Sequence, residues 1–241
     1  MTTTTTTAKG WNVLDREGGV LWRHYRFGAP GTAATTFVFR GKGDALVVVS
    51  PGRHVEADAL DELSEFGKVT ALVASNSYHW LGQPLWKKHF PDAKSYAPAD
   101  GIKRLSKKVP EVPFEPLEAL APHLGDHATV TSPVGLKVGN AFATVRGKSG
   151  TYLYPSDLLS NIPTMPPQFV FKMLMSMTDS APGYRLFRPA VWLQVKDKGA
   201  LRTWFDEELV RSPPATMVPG HGPPVSAPDL VAQTRALLAK M

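Results

Sequence analysis

Three stretches of this sequence place a polar residue of catalytic type just beyond an apolar run. Tyr152-Leu153-Tyr154-Pro155-Ser156-Asp157 ends on a carboxylate, and Met217-Val218-Pro219-Gly220-His221-Gly222 carries an imidazole. Ala74-Ser75-Asn76-Ser77-Tyr78-His79-Trp80 carries a second imidazole after the apolar run Val69 to Ala74. Polar groups at the ends of buried strands sit at the rim of a core, where clefts form. Two imidazoles and a carboxylate with one open position can hold a zinc ion, which lowers the pKa of its bound water to about 7. The plainer reading of each residue alone is a loop role, with Asp bonded to local amides and His to a carbonyl. His54, in Pro51-Gly52-Arg53-His54, is a spare candidate for a general base and otherwise an exposed loop residue ahead of a helix.

The elements that must position these groups can be read from patterning. Val20 to Phe27 and Thr35 to Arg40 are rich in β-branched and aromatic residues, and Ala45 to Val49 is a continuous apolar run. A run of that kind fits a strand covered on both faces. Gly28-Ala29-Pro30-Gly31 and Gly41-Lys42-Gly43-Asp44 read as the turns between them. Val55 to Phe66 predicts an amphipathic helix with Val55, Ala59, Leu63 and Phe66 on one face. Val69 to Ala74 and Lys94 to Ala97 read as strands, with short helices at Leu85 to Phe90 and Ala99 to Lys107. Val109 to Gly125, rich in proline, reads as a linker or rim.

Strands return at Ala128 to Thr131, Ala141 to Arg146 and Thr151 to Tyr154. Ala190 to Val195 and Ala215 to Val218 read as further strands. Gly199 to Val210 and Pro228 to Lys240 read as helices. Both halves thus run from strands into strands alternating with helices, and paired sheets with outer helices would bury both sets of apolar runs. The expected organisation is a disordered threonine tail over residues 1–10 and one domain over residues 11–241. Phe169 to Met177 is apolar at nearly every position, so as a helix it lacks a polar side to turn to water. It is expected either to be covered by the core or to lid the cleft and meet an apolar ligand, a second subunit or a membrane surface.

The composition sets the outer limits. The chain has 241 residues, 43% hydrophobic and 20% charged, which supplies a core and excludes a largely disordered chain. It has no cysteine, so disulfide frameworks, thiolate zinc sites and cysteine nucleophiles are excluded. No apolar run reaches the roughly 18 residues of a membrane helix, and a cytoplasmic protein is the default expectation. The formal charge is +6, with Lys103, Arg104, Lys107 and Lys108 as the densest cluster. No aromatic residue alternates with these cations along the sequence. They therefore read as a solvated helix face, and nucleic acid is not an expected partner.

With these motifs in hand, the chain from about Val20 to Lys240 resembles the metallo-β-lactamase superfamily. It resembles the domain-of-unknown-function branch more than the lactamases. Val47-Val48-Val49-Ser50-Pro51-Gly52 resembles the strand and turn that open the family's cleft. Ala71 to Gly82 stands where the family carries His-x-His-x-Asp-His and then a glycine. Gly135-Leu136-Lys137-Val138-Gly139 resembles the Gly-His-x-x-Gly segment, Tyr154 to Leu159 the strand with the bridging Asp, and Val218 to Gly222 the last ligand motif. The resemblance implies an α/β fold, the four-layer αββα sandwich, and a two-metal hydrolase site. Set on Gly82, however, it puts Ser75 and Ser77 at the first two histidine positions. His79 then stands at the Asp position, Trp80 at the last His and Leu136 at the middle ligand.

Only Asp157 and His221 keep the family residue type, with His79 as a possible substitute. The first metal site is expected to be lost, and no cofactor is expected. The resulting expectation is a binding or structural protein on a hydrolase fold. The alternative is a mononuclear hydrolase of an ester, lactone or phosphoester, with His79, Asp157 and His221 holding one zinc or other divalent ion.

Overall fold

The structure, a computed structural model, describes residues 5–26 and 33–241. The turn expected at Gly28 to Gly31 lies outside them. The first sheet collects β1 (Thr5–Thr6), β2 (Asn12–Asp15), β3 (Val20–Arg26), β4 (Ala33–Arg40) and β5 (Ala45–Val49) in an antiparallel series. The chain then passes through α1 (Ala57–Asp61) and a 3-10 turn at Glu62–Glu65 to β6 (Lys68–Val73). Next come α2 (Gln83–His89), β7 (Lys94–Ala97), α3 (Ala99–Lys108) and β8 (Phe114–Pro116). Strands β5 to β8 pair in parallel, as the intervening crossovers require.

The second sheet has the order β14-β11-β10-β9, from β9 (Ala128–Thr131), β10 (Phe142–Arg146), β11 (Thr151–Tyr154) and β14 (Thr216–Met217). A separate pair, β12 (Leu159–Ile162) with β13 (Gly183–Leu186), flanks α4 (Phe169–Met177). Three further helices follow: α5 (Arg188–Gln194), α6 (Lys198–Arg211) and α7 (Leu230–Leu238). Strands β5 and β6 thus lie in one sheet, and β11 and β14 in the other.

Side-chain alternation along each strand builds the layers. Val47, Val49, Ala71 and Val73 face inward and meet Ala143, Val145, Tyr152 and Tyr154 of the second sheet. Phe37 stacks on Tyr154 across this interface, with ring centroids 5.7 Å apart. Leu46, Val48 and Leu72 face outward onto Leu60, Leu63, Phe66 and Trp86. Phe142, Leu153 and Met217 face outward from the second sheet onto Val191, Leu201, Phe205 and Leu237. Helices, sheet, sheet and helices are therefore the expected αββα sandwich.

Four local readings are corrected. The helix expected over Val55 to Phe66 is only five residues of α-helix followed by the 3-10 turn, although its predicted face is buried. The linker Val109 to Gly125 contains β8, which extends the sheet at its edge, where a proline costs no ladder bond. Ala190 to Val195, read as a strand, lies mostly in α5. Pro189 occupies the first turn, where its missing N–H is tolerated, and Ala190, Val191 and Gln194 face inward at helical spacing. Residues 5–10, expected within a disordered tail, are held in place: Thr5–Thr6 pairs with β2 and Thr7 donates to the Glu62 carboxylate. Trp11 anchors them, buried with its Nε1 donating to Ala59 O at 2.7 Å.

Candidate functional site

The loops after β6, β11 and β14 open at one end of the sandwich, and Asp157 is where they meet. It follows β11 in a short 3-10 turn, with Ser156 ahead of it at φ 52°. The loop carrying His221 is tied to this turn, since Gly220 N donates to Ser156 O at 2.9 Å. The loop after β6 is tied to it through Asn76. That fully buried side chain donates from Nδ2 to Asp157 Oδ2 at 2.8 Å and to Asn140 Oδ1 at 3.1 Å. Gly82 closes the same loop against the first sheet. A Cβ there would lie 2.0 Å from Pro51 O, so only glycine allows this approach. Trp86, one turn into α2, then donates to Gly52 O at 2.8 Å.

His79, Asp157 and His221 are thereby brought together. His79 Nε2 lies 2.9 Å from Asp157 Oδ1, and His221 Nε2 lies 3.4 Å from the same oxygen. His221 Nδ1 donates to Ala33 O at 2.9 Å, so a proton on Nε2 makes this ring cationic. Burial opposes that charge. The hydrogen bond and charge of Asp157 outweigh it and raise the His221 pKa above its ordinary value. Burial likewise opposes ionisation of Asp157. The two histidines outweigh it and hold the carboxyl well below the usual carboxylate range. The cluster is a buried carboxylate clasped by two imidazoles and the amide of Asn76.

Behind His79 stand two residues that sequence reasoning missed. Ser50 Oγ lies 2.6 Å and Tyr25 OH 3.0 Å from His79 Nδ1, and the two hydroxyls are 2.9 Å apart. Ser50, His79 and Asp157 thus follow the order of a nucleophile–base–orienter relay. Ser50 is nevertheless fully buried and lines neither of the cavities described below, so it orients His79. Ser50 stands just past the end of β5 at φ 57°. Ser50→Ala is expected to cost about 1 kcal/mol in chemical denaturation, the worth of one hydrogen bond with Tyr25 still in place. Gln194 Nε2, 3.4 Å from Asp157 Oδ2, was missed as well. Only the Ser-Pro-Gly turn after a buried strand signalled any of these residues.

His54 is not part of the cluster. It is exposed at φ 56°, and its Nε2 accepts from Arg53 Nε at 2.7 Å. Ser75 and Ser77 are buried, with Ser77 packed against Gly101 of α3. Leu136 bridges to Val195 and packs on the helical side of the second sheet.

Two cavities meet above the cluster. One, of about 350 Å³, has Asp157, His79 and Tyr25 among its walls, with Tyr78, Leu174 and Leu193. The other, of about 360 Å³, is walled by His24, Ile162, Pro163, Pro166 and Gly222. Phe171, Met175, Phe187 and His221 line both. Helix α4 therefore covers the cleft, with Phe171, Leu174 and Met175 turned inward.

The residues present do not fit the metals that the family resemblance implies. Where the resemblance would set the imidazoles of the first site, this chain has Ser75, Ser77 and Leu136, and zinc selects imidazole, thiolate and carboxylate donors. At the second site the imidazole Nε2 atoms are directed at the carboxylate itself, which also accepts from Asn76 and Gln194. Among the described residues, no group of three or more His, Cys, Asp or Glu side chains is arranged to hold a metal ion.

No protein-family model matches the chain, and no curated protein is similar to it at a significant level. Solved structures match over nearly its whole length. A metallo-β-lactamase from Erythrobacter litoralis shares 13% identity, with a TM-score of 0.60 over 99% of this chain and 100% of that one. A β-lactamase domain protein from Burkholderia ambifaria shares 13%, at 0.60 over 98% of this chain and 76% of that one. The metallo-β-lactamase FIM-1 from Pseudomonas aeruginosa, solved in a mono-zinc form, shares 14%, at 0.56 over 99% and 95%. With its two packed sheets, outer helices and cleft at the strand ends, this chain has the metallo-β-lactamase fold.

Proposed function

We propose that the chain is a binding protein built on this fold, which has lost two-metal hydrolysis and uses the cleft to hold an apolar ligand. The observation that carries this reading is the pair of cavities meeting at Phe171, Met175 and Phe187 over the Asp157 cluster. Their size and apolar lining suit a small-molecule site, in which a few polar groups fix orientation. Here those groups are Tyr25, His79, Asp157 and His221 at one end. An elongated apolar molecule with one hydrogen-bonding group fits this distribution.

The test is titration of delipidated protein with a fluorescently labelled fatty acid, beside elemental analysis of protein purified without chelator or added metal. Saturable binding is expected for the native chain. Met175 is buried at the cavity wall, so Met175→Glu should weaken binding at least about tenfold by placing a charge there. Met173→Glu, on the outer face of α4, should leave it unchanged. Stoichiometric zinc that resists chelator and disappears in His221→Ala would overturn the reading. It would favour the mononuclear hydrolase with His79, Asp157 and His221 as ligands.

A further inference from the structure

The outer side of the cleft cover is also largely apolar. On α4, Phe169, Val170, Met173 and Met177 are 77%, 68%, 47% and 79% exposed. On α5, Trp192 and Leu193 are 56% and 59% exposed, and Leu193 also lines the first cavity. Isolated exposed apolar residues are ordinary, but a cluster on two helices at one cavity mouth marks a contact surface.

The two helices that form this surface carry charge of one sign. Helices α4 and α5 carry Lys172 and Arg188 and no acidic residue. Lys137 Nζ donates to the Trp192 carbonyl at 2.9 Å, which places a third cation at the C-terminal end of α5. Tyr78, on the wall of the first cavity, has the Arg104 guanidinium 4.4 Å over its ring. Lys108 sits 5.7 Å over the ring of Trp80. The aromatics absent from the α3 sequence are thus supplied to Arg104 and Lys108 by the loop after β6, and Lys103 and Lys107 are exposed on the same helix. The carboxylates nearby are engaged: Asp179 lies 3.5 Å from Arg185, Asp197 accepts from Ala200 N at 2.9 Å at the start of α6, and Asp100 accepts from Gly139 N.

We infer that this face docks on an anionic lipid bilayer, with α4 and Trp192 entering the interface and the surrounding cations meeting lipid headgroups. No helix is long and apolar enough to cross a membrane, so the contact is peripheral. Apolar insertion combined with basic charge is the pairing that makes such binding stable and dependent on anionic lipid. A second copy of the chain is a poorer occupant. Two such faces brought together would oppose cations with no acid on either helix to pair them. The inference builds on the proposed binding cleft, because a docked α4 would open the cavity toward a source of apolar ligand.

Flotation with vesicles of phosphatidylcholine, with and without phosphatidylglycerol, tests the docking separately from the cleft. Binding is expected only with the anionic lipid and should weaken as salt rises. The double variant Val170→Asp, Met173→Glu should bind vesicles at least about tenfold more weakly with an unchanged thermal melt, since both positions are exposed. Arg104→Glu with Lys107→Glu should act in the same direction. Met175→Glu should lose the fatty-acid probe yet still float. Loss of probe binding in the native chain with flotation intact would remove the cleft reading alone. Probe binding without flotation would overturn the docking alone. A concentration-dependent dimer abolished by Met173→Glu, with no vesicle binding, would assign the face to a second copy instead.

Discussion

Asp157→Ala is expected to destabilise the protein by on the order of 3–5 kcal/mol, the usual cost of removing one partner from a buried ion pair. Its removal leaves His79, His221, Asn76 Nδ2 and Gln194 Nε2 turned toward an empty centre. The loss should depend on pH in a defined way. The carboxyl is depressed below its ordinary 3.8 in the fold, so its contribution is full above that value and fades as pH falls through the folded pKa. His221 is raised above 6.5, so its contribution is full below 6.5 and fades as pH rises through the folded pKa. The stability gap between native chain and variant should therefore be widest between 3.8 and 6.5 and narrow on both sides. Urea denaturation across that range measures it. A gap that widens steadily above 6.5 would mean that His221 is not paired as described.

Gly222→Ala should be nearly as damaging, by about 3 kcal/mol or more from combined overpacking and backbone strain. Gly222 has φ +92°, and a Cβ there would stand 1.7 Å from Asn161 O. Asn161 cannot easily retreat, because its N–H donates to the His221 carbonyl at 2.7 Å and its side chain to Pro223 O at 2.9 Å. Relief must come from the loop that carries His221, which would withdraw the ring from Ala33 O and from Asp157. The expected results are a melting temperature lower by about 10 °C and weakened binding of the fatty-acid probe. An alanine variant with native stability and native binding would show that this loop is not held as tightly as the close approach implies.

The strongly patterned parts of the chain were legible without coordinates. Ala45 to Val49 and Val69 to Val73 are apolar at nearly every position because each strand is covered by the other sheet on one side and helices on the other. Asp157 and His221 were legible as site residues for a local reason, since each is the first polar group of its type beyond a buried strand. His79 was legible as the imidazole beyond the apolar run Val69 to Ala74, and the close contact of Gly82 with Pro51 explains why that glycine served to set the family motif.

Where local and distant preferences compete, the pattern misleads. Val191-Trp192-Leu193 has β-type residues, yet α5 forms because Ala190, Val191 and Gln194 reach the core only at helical spacing. Pro116 reads as linker because nothing within a few residues reveals that its neighbours pair with β7.

The sequence by itself therefore determined the two apolar sheets, the serine and leucine side chains at Ser75, Ser77 and Leu136, and the apolarity of α4 at nearly every position. Those properties reside in single residues or short periodic runs. The tertiary structure alone decided that Tyr25 and Ser50 hold His79, that Asn76 and Gln194 reach Asp157, and that α4 covers a cavity on one side while exposing the other. Each of these depends on groups tens of residues apart in the chain. Hydrogen bonds of a few ångströms across such separations leave no periodic trace, because sheet packing sets the distance between those side chains.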